Sequence, residues 1–209
     1  MKKSKILIVG KGQLSDLAKE IIERQKKFSF AGYLKPENEK ELIYKRKKIK
    51  NVFIALGNSE KRFILYKKLK RFNFIFPVII DPSAIILTKL KNIGEGSMVG
   101  VGSKILQKTI IGKQCIIGTS VTILHDVIIN DNCLLGGKST IGSNVHISKN
   151  VDVGVGAIIS SSIRNKSGEL TKINIGKNSY ICSGSVVLKS FKSNSKIIGN
   201  PGKIIPWLT

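Results

Sequence analysis

The chain has 209 residues, 42% of them hydrophobic and 23% charged, with 20 Gly and 5 Pro, which excludes a disordered or fibrous protein and leaves one large domain or two small ones. No apolar run reaches the length of a membrane-spanning helix, and the opening basic-then-apolar stretch is too short for a secretory leader, so a cytoplasmic protein away from membranes is expected. The formal net charge is +23, nearly all of the excess being lysine beside abundant Ile and Asn. That is first a mark of compositional bias and second of phosphate-bearing ligands, with no motif for nucleic acid.

In chain order, residues 6–9 form a short apolar run that ends in Gly10-Lys11-Gly12. Leu14, Leu17, Ala18, Ile21 and Ile22 then recur at helical spacing, with Ser15 or Asp16 as the expected cap. A second apolar run covers 28–34, and the basic stretch 45–48 leads into a third over 52–56. A helix is expected over about 60–71 and a further strand over 74–80, before Asp81-Pro82. This alternation predicts a Rossmann-like α/β domain over residues 1–82 with a parallel sheet.

Gly10 and Gly12, between strand and helix, let backbone N–H groups approach an anion at the helix N-terminus. The third glycine of the dinucleotide fingerprint is missing, and Lys35-Pro36 stands where an acidic residue would bind a ribose. A mononucleotide or nucleotide-sugar site is expected instead, with a ligand-free tight turn as the alternative. Gly57 and Asn58 face the same sheet edge and are expected to line the same crevice.

From Leu87, every sixth residue is aliphatic at thirteen successive positions, through Ile93, Val99 and Ile105 to Val153 and Ile159. The following residue is Gly in seven of the thirteen, and the fifth position is small or β-branched. Neither a 3.6-residue helix nor a strand pair repeats every six residues. A left-handed parallel β-helix does, since three hexads make one triangular coil whose aliphatic residues point inward. This predicts such a β-helix over 83–209, with corner glycines supplying positive φ. A polar loop is expected to leave the prism over 160–172, and a tail closes the chain. Cys115 and Cys133 occupy the fifth hexad position and read as structural. With three cysteines in no CxxC spacing and two histidines, no metal site is expected.

The Gly10-x-Gly12 turn, the segment 53–59, the hexads and the ending Ile198-Gly199-Asn200-Pro201-Gly202-Lys203 occur in one order that resembles the NeuD/PglD-like sugar acetyltransferases. That family includes sialic acid O-acetyltransferases and bacillosamine N-acetyltransferases. The segment 118–126, ending in His125-Asp126, is the most specific piece of the likeness. The resemblance implies acetyl-CoA as donor and a nucleotide-linked amino sugar or sialic acid as acceptor, within surface polysaccharide or glycan precursor biosynthesis. It also implies a homotrimer with sites between neighbouring β-helices. On this reading His125 is the general base and Asp126 its orienting partner. Gly142, Gly154, Lys189, Gly199 and Pro201 would hold acetyl-CoA. The sequence departs from the family pattern at Leu134, where a second histidine is common.

The chemistry of residue types agrees, because acetyl transfer needs an acceptor amine or hydroxyl relieved of a proton, and His titrates nearest neutrality. N-acetylation is preferred to O-acetylation because of the nucleotide-like crevice, and an inactive β-helix scaffold is the competing reading. Outward Ile110, Ile116 and Ile128 are expected to be buried between subunits. His146, in no recognised motif, is expected to be dispensable.

Overall fold

The computed structural model describes residues 3–207 other than 46, 165 and 166. The N-terminal apolar runs form strands β1 (Ser4–Val9), β2 (Phe28–Leu34) and β3 (Asn51–Ile54), parallel and in the order β2-β1-β3. The middle strand is apolar from Ile6 to Val9 because both of its faces are covered there. Ile6 and Ile8 face α1 (Gln13–Arg24), which buries Ala18, Ile21 and Ile22. Leu7 and Val9 face α3 (Ser59–Arg71), which buries Leu65, Tyr66 and Leu69. A short helix, α2 (Glu39–Lys45), precedes the basic stretch and was not expected from the sequence.

Two local expectations are corrected. The N-cap of α1 is Gly12, which offers no side-chain bond; Ser15 is buried inside the helix, and Asp16 accepts a hydrogen bond from the Tyr33 hydroxyl at 3.1 Å. The strand expected over 74–80 is divided at Pro77, which has no N–H for a ladder. Ile75 bridges Asn51 in the first sheet, whereas β4 (Ile79–Ile80) pairs with Met98–Val99 in the solenoid.

The solenoid is a three-faced parallel β-helix. Its first face stacks β4, Met98–Val99, Ile116–Ile117, Leu134–Leu135, Asp152–Val153, Tyr180–Ile181 and Lys196–Ile198. The second stacks Ile85–Ile86, Lys104–Ile105, Thr122–Ile123, Thr140–Ile141, Ile158–Ile159 and Val186–Val187. The third stacks Ile110–Ile111, Ile128–Ile129, Val145–Ile147 and Ile173–Ile175. From Ile93 to Ile159 every sixth residue is buried in one core. Leu87, the expected first member, is 58% exposed. Ile80 and Ile86 pack against that core instead, and the 3-10 turn Leu90–Asn92 adds one residue before Ile93.

The glycine explanation also changes. Those directly after the aliphatic residue do not carry positive φ. They are glycine because the next coil is too close: a Cβ at Gly136 would stand 2.7 Å from the Val155 nitrogen. The left-handed corner falls two residues later, at Gly96, Gly102, Lys108, Gln114, Ser120, Asp126 and onward every six residues to Gly156. Asparagine fills several of these corners, as its short polar side chain tolerates αL.

Fifth-position side chains bind the coils together. Ser97, Ser103 and Thr109 donate to the carbonyls of Gly112, Gly118 and Leu124 at 2.7–2.8 Å. The thiols of Cys115 and Cys133 make the same kind of contact with Asn130 and Ser148 at 3.2 and 3.1 Å. Between Ile159 and Ile173 the chain leaves the prism as an antiparallel ladder of Ile163–Arg164 with Leu170–Thr171; residues 165 and 166 of the expected loop lie outside the described residues. The α/β unit sits on the first face, where Met98, Ile116 and Leu134 pack against α1 and the sheet. Ile116 is therefore buried within the chain and not on an outer face, contrary to expectation.

Candidate active site

His125 and Asp126 lie at the corner between the second and third faces. Hydrogen bonds from Asp126 N to Gln107 O and from Asn144 N to His125 O, both 3.2 Å, stack this corner between its neighbours. Asp126 holds the left-handed conformation the corner demands, with φ 58°. That backbone turns its carboxylate onto the preceding side chain, so Asp126 Oδ2 stands 2.8 Å from His125 Nδ1. The imidazole remains 45% exposed. With Nδ1–H directed at the carboxylate, the lone pair of Nε2 is left to accept a proton from a bound molecule.

The residues expected to hold acetyl-CoA divide between two edges. Gly142 is one coil below Leu124, and Lys189 continues the same edge, so both share the His125 corner. The chain's excursion at 160–172 leaves from this edge too, two coils below His125. Gly154, Gly199 and Pro201 lie instead on the edge between the first and second faces, and within one chain are not brought to His125. His146 sits in the third-face row beside Ile128, its Nε2 3.1 Å from Asn130 Nδ2.

The glycine turn opens a crevice of about 630 Å³ at the carboxyl ends of the strands, lined by Lys11, Lys35, Pro36, Glu37, Asn38 and Leu56. Gly10 is required there, since a Cβ would stand 2.5 Å from the Ala55 carbonyl oxygen at φ 131°. Gly12 caps α1 with φ 155°. Gly57 is unobstructed, but Asn58 spends its Oδ1 on the Lys61 N–H at 2.9 Å, capping α3. Lys11 and Lys35 bring cationic charge to a helix N-terminus, the setting in which phosphates bind.

Arg62 was missed from the sequence because nothing marks it among the many basic residues of α3. It is fully buried and its guanidinium donates only to carbonyls: Leu56 and Gly57 in its own unit, Gln114 and Asn132 in the prism. Asp152, also missed, did have a signal, being an acid that follows Met98, Ile116 and Leu134 in the first-face row. Among the described residues no group of three or more His, Cys, Asp or Glu is placed to hold a metal, and no helix is long and apolar enough to cross a membrane.

The bacterial transferase hexapeptide (six repeats) family model matches residues 108–143, the coils that carry His125. No curated protein matches the sequence. Among solved structures, the chain is similar to PerB from Caulobacter crescentus in complex with CoA and GDP-perosamine, with TM-score 0.87, 24% identity and coverage of 97% of this chain and 98% of that one. It is similar also to the acetyltransferase domain of PglB from Neisseria gonorrhoeae in complex with acetyl coenzyme A, with TM-score 0.84, 16% identity and coverage of 98% and 100%. WeeI from Acinetobacter baumannii matches with TM-score 0.83, 23% identity and coverage of 97% and 100%. At these identities the likeness establishes a shared fold along nearly the whole chain.

Proposed function

We propose that this chain is an acetyl-CoA-dependent N-acetyltransferase of a nucleotide-linked amino sugar, with a left-handed β-helix and a Rossmann-like unit that holds the nucleotide. The observation that carries this reading is the His125–Asp126 pair at 2.8 Å, half-exposed on a hexapeptide prism. Relatives in fold that hold CoA with GDP-perosamine, or acetyl coenzyme A, support the choice of donor and acceptor class.

Neutral His125 takes a proton at Nε2 from the acceptor's ammonium-derived amine as nitrogen attacks the thioester carbonyl. The C–S bond of acetyl-CoA then breaks, and the imidazolium returns the proton to the departing thiolate. Asp126 steadies the imidazolium through Nδ1–H, and corner N–H groups stabilise the oxyanion.

The nucleotide crevice belongs to a unit seated on the first face, whereas His125 occupies the edge opposite that face. A second copy of the chain resolves this separation, bringing its crevice to the first chain's histidine. Exposed Ile110 and Ile128 on the third face, and Ile85 and Ile158 on the second, flank the His125 edge and give the neighbour an apolar seat. A homotrimer with three shared sites follows.

The test is thiol release from acetyl-CoA across UDP-, dTDP- and GDP-linked amino sugars and free sialic acids. Turnover of at least one nucleotide-linked amino sugar is expected; release with sialic acid alone would replace the reading by O-acetylation, and release with none would leave a scaffold.

A further inference from the structure

A second groove, about 570 Å³, runs between α3 and the prism edge that joins the third and first faces. It is separate from the nucleotide crevice and lies on a different edge from His125. Its floor is built by asparagines at successive left-handed corners: Asn132 donates to Asn150 at 3.0 Å, Asn150 to Asn178 at 3.0 Å, and Asn178 to Asn194 at 3.1 Å. Asn132 also donates to the Ser59 carbonyl at 2.7 Å, so both of its N–H groups are spent.

Two acceptors in this floor have no partner among the described residues. Asn132 is fully buried, yet its Oδ1 receives no hydrogen bond, and Asp152 Oδ1 is buried and equally unpartnered. Burial pushes the Asp152 carboxyl up to about 6, with Arg62 pulling the other way. The walls set Phe63 and the 56% exposed Ile64 on α3, Tyr180 on the first face and Trp207 in the tail beside the charged Glu60 and Lys67 of α3. Tyr180 and Trp207 have ring centroids 6.4 Å apart and are tilted by 54°, making an apolar corner and not a parallel slot for a flat base. The indole is fixed by its Nε1–H bond to the Asn194 carbonyl at 3.1 Å.

The Asp152 carboxylate below and a tilted aromatic corner beside it suit a puckered ring that presents donors, with a volume in the usual range for small-molecule sites. We infer that this groove binds a pyranose sugar, whose hydroxyl or amino protons go to the part-exposed Asp152 carboxylate while a C–H face rests on Trp207. This site is independent of acetyl transfer and takes a sugar other than the one at His125.

Trp207 is the only tryptophan, so its emission reports occupancy directly. Titration of the full chain with glucosamine and with N-acetylglucosamine, without any acetyl donor, is expected to give a saturable emission change in the millimolar range. Asp152→Asn is expected to weaken binding at least tenfold, and Ile64→Arg, at an exposed wall position, to abolish it while leaving the circular dichroism spectrum unchanged. Absence of a saturable change up to about 20 mM, where only water fills the groove, would overturn the inference. So would equal affinity in both variants, or an equal response to GMP or UMP. Thiol release from acetyl-CoA is read separately, so this site can fail while the proposed function stands, and the reverse.

Discussion

At the His125 corner the backbone does the positioning. A residue in the left-handed region cannot continue a strand, so Asp126 folds back onto the ring that precedes it. Removing the base is expected to lower kcat by about 10²–10⁴-fold in His125→Ala while acetyl-CoA binding persists. Retention of more than about a tenth of the parent kcat in the thiol-release assay would assign proton removal to another group. Arg62 poses the opposite case, a charge used for structure. Its four carbonyl partners span both units, and burial draws its pKa down. Arg62→Leu would strand those carbonyls and is expected to cost about 3–5 kcal/mol, read as a lower urea midpoint. Asp152 carries a pH signature of its own. Its folded pKa of about 6 lies above the ordinary carboxylate value, so the folded state binds the proton more tightly. The stabilisation is full below about pH 4 and lost as pH rises through about 6. Asp152→Asn is therefore expected to be more stable than the parent at pH 8, by on the order of 2 kcal/mol, with the advantage vanishing by pH 4. An unchanged difference across that range would mean the carboxyl is not the titrating group.

At the scale of the element, the six-residue repeat was legible because each inward position has no choice: water is excluded and only aliphatic residues fill the prism. The reason for the glycines was not legible, since sequence shows where Gly stands but not whether space or φ demands it. Gly136 and Gly156 separate the two causes. Gly136→Ala would drive a Cβ into the next coil and is expected to cost about 2–3 kcal/mol. At Gly156, with φ 65°, an added Cβ would meet no atom within 4 Å. That position should accept Asn for under about 1 kcal/mol, as Asn144 and Asn150 hold the equivalent left-handed position at the other two edges. Equal thermal shifts in the two variants would refute this division. Pro77 was equally visible, but which sheet each half of 74–80 joins depends on pairing with Asn51 and Met98, partners that only the folded chain brings near. Among candidate site residues, the contact of His125 with Asp126 was readable, since the two are adjacent at the end of the segment that carries the family resemblance. Lys11, Arg62 and Asp152 act through neighbours 24 to 90 residues away, and composition hides the two basic residues in a set of 36.

At the scale of the whole molecule, the proposed function makes the site depend on assembly. One chain places the crevice at the glycine turn and its histidine on opposite sides of a prism whose coils are fixed by continuous ladders. No hinge within the prism can close that gap. A neighbour can, and the exposed isoleucines on both faces beside the His125 edge offer it an apolar seat, with Ile110 47% and Ile128 42% exposed. A chain of 22.9 kDa is thus expected to scatter light as a particle of about 69 kDa at micromolar concentration. Ile110→Lys with Ile128→Lys places charge on that seat and should yield monomers with an unchanged circular dichroism spectrum. Those monomers should lose acetyl transfer, although His125, Asp126 and the crevice are untouched. Acetyl transfer at the parent rate by a species of 22.9 kDa would show that one chain suffices and that the exposed isoleucines serve some other contact.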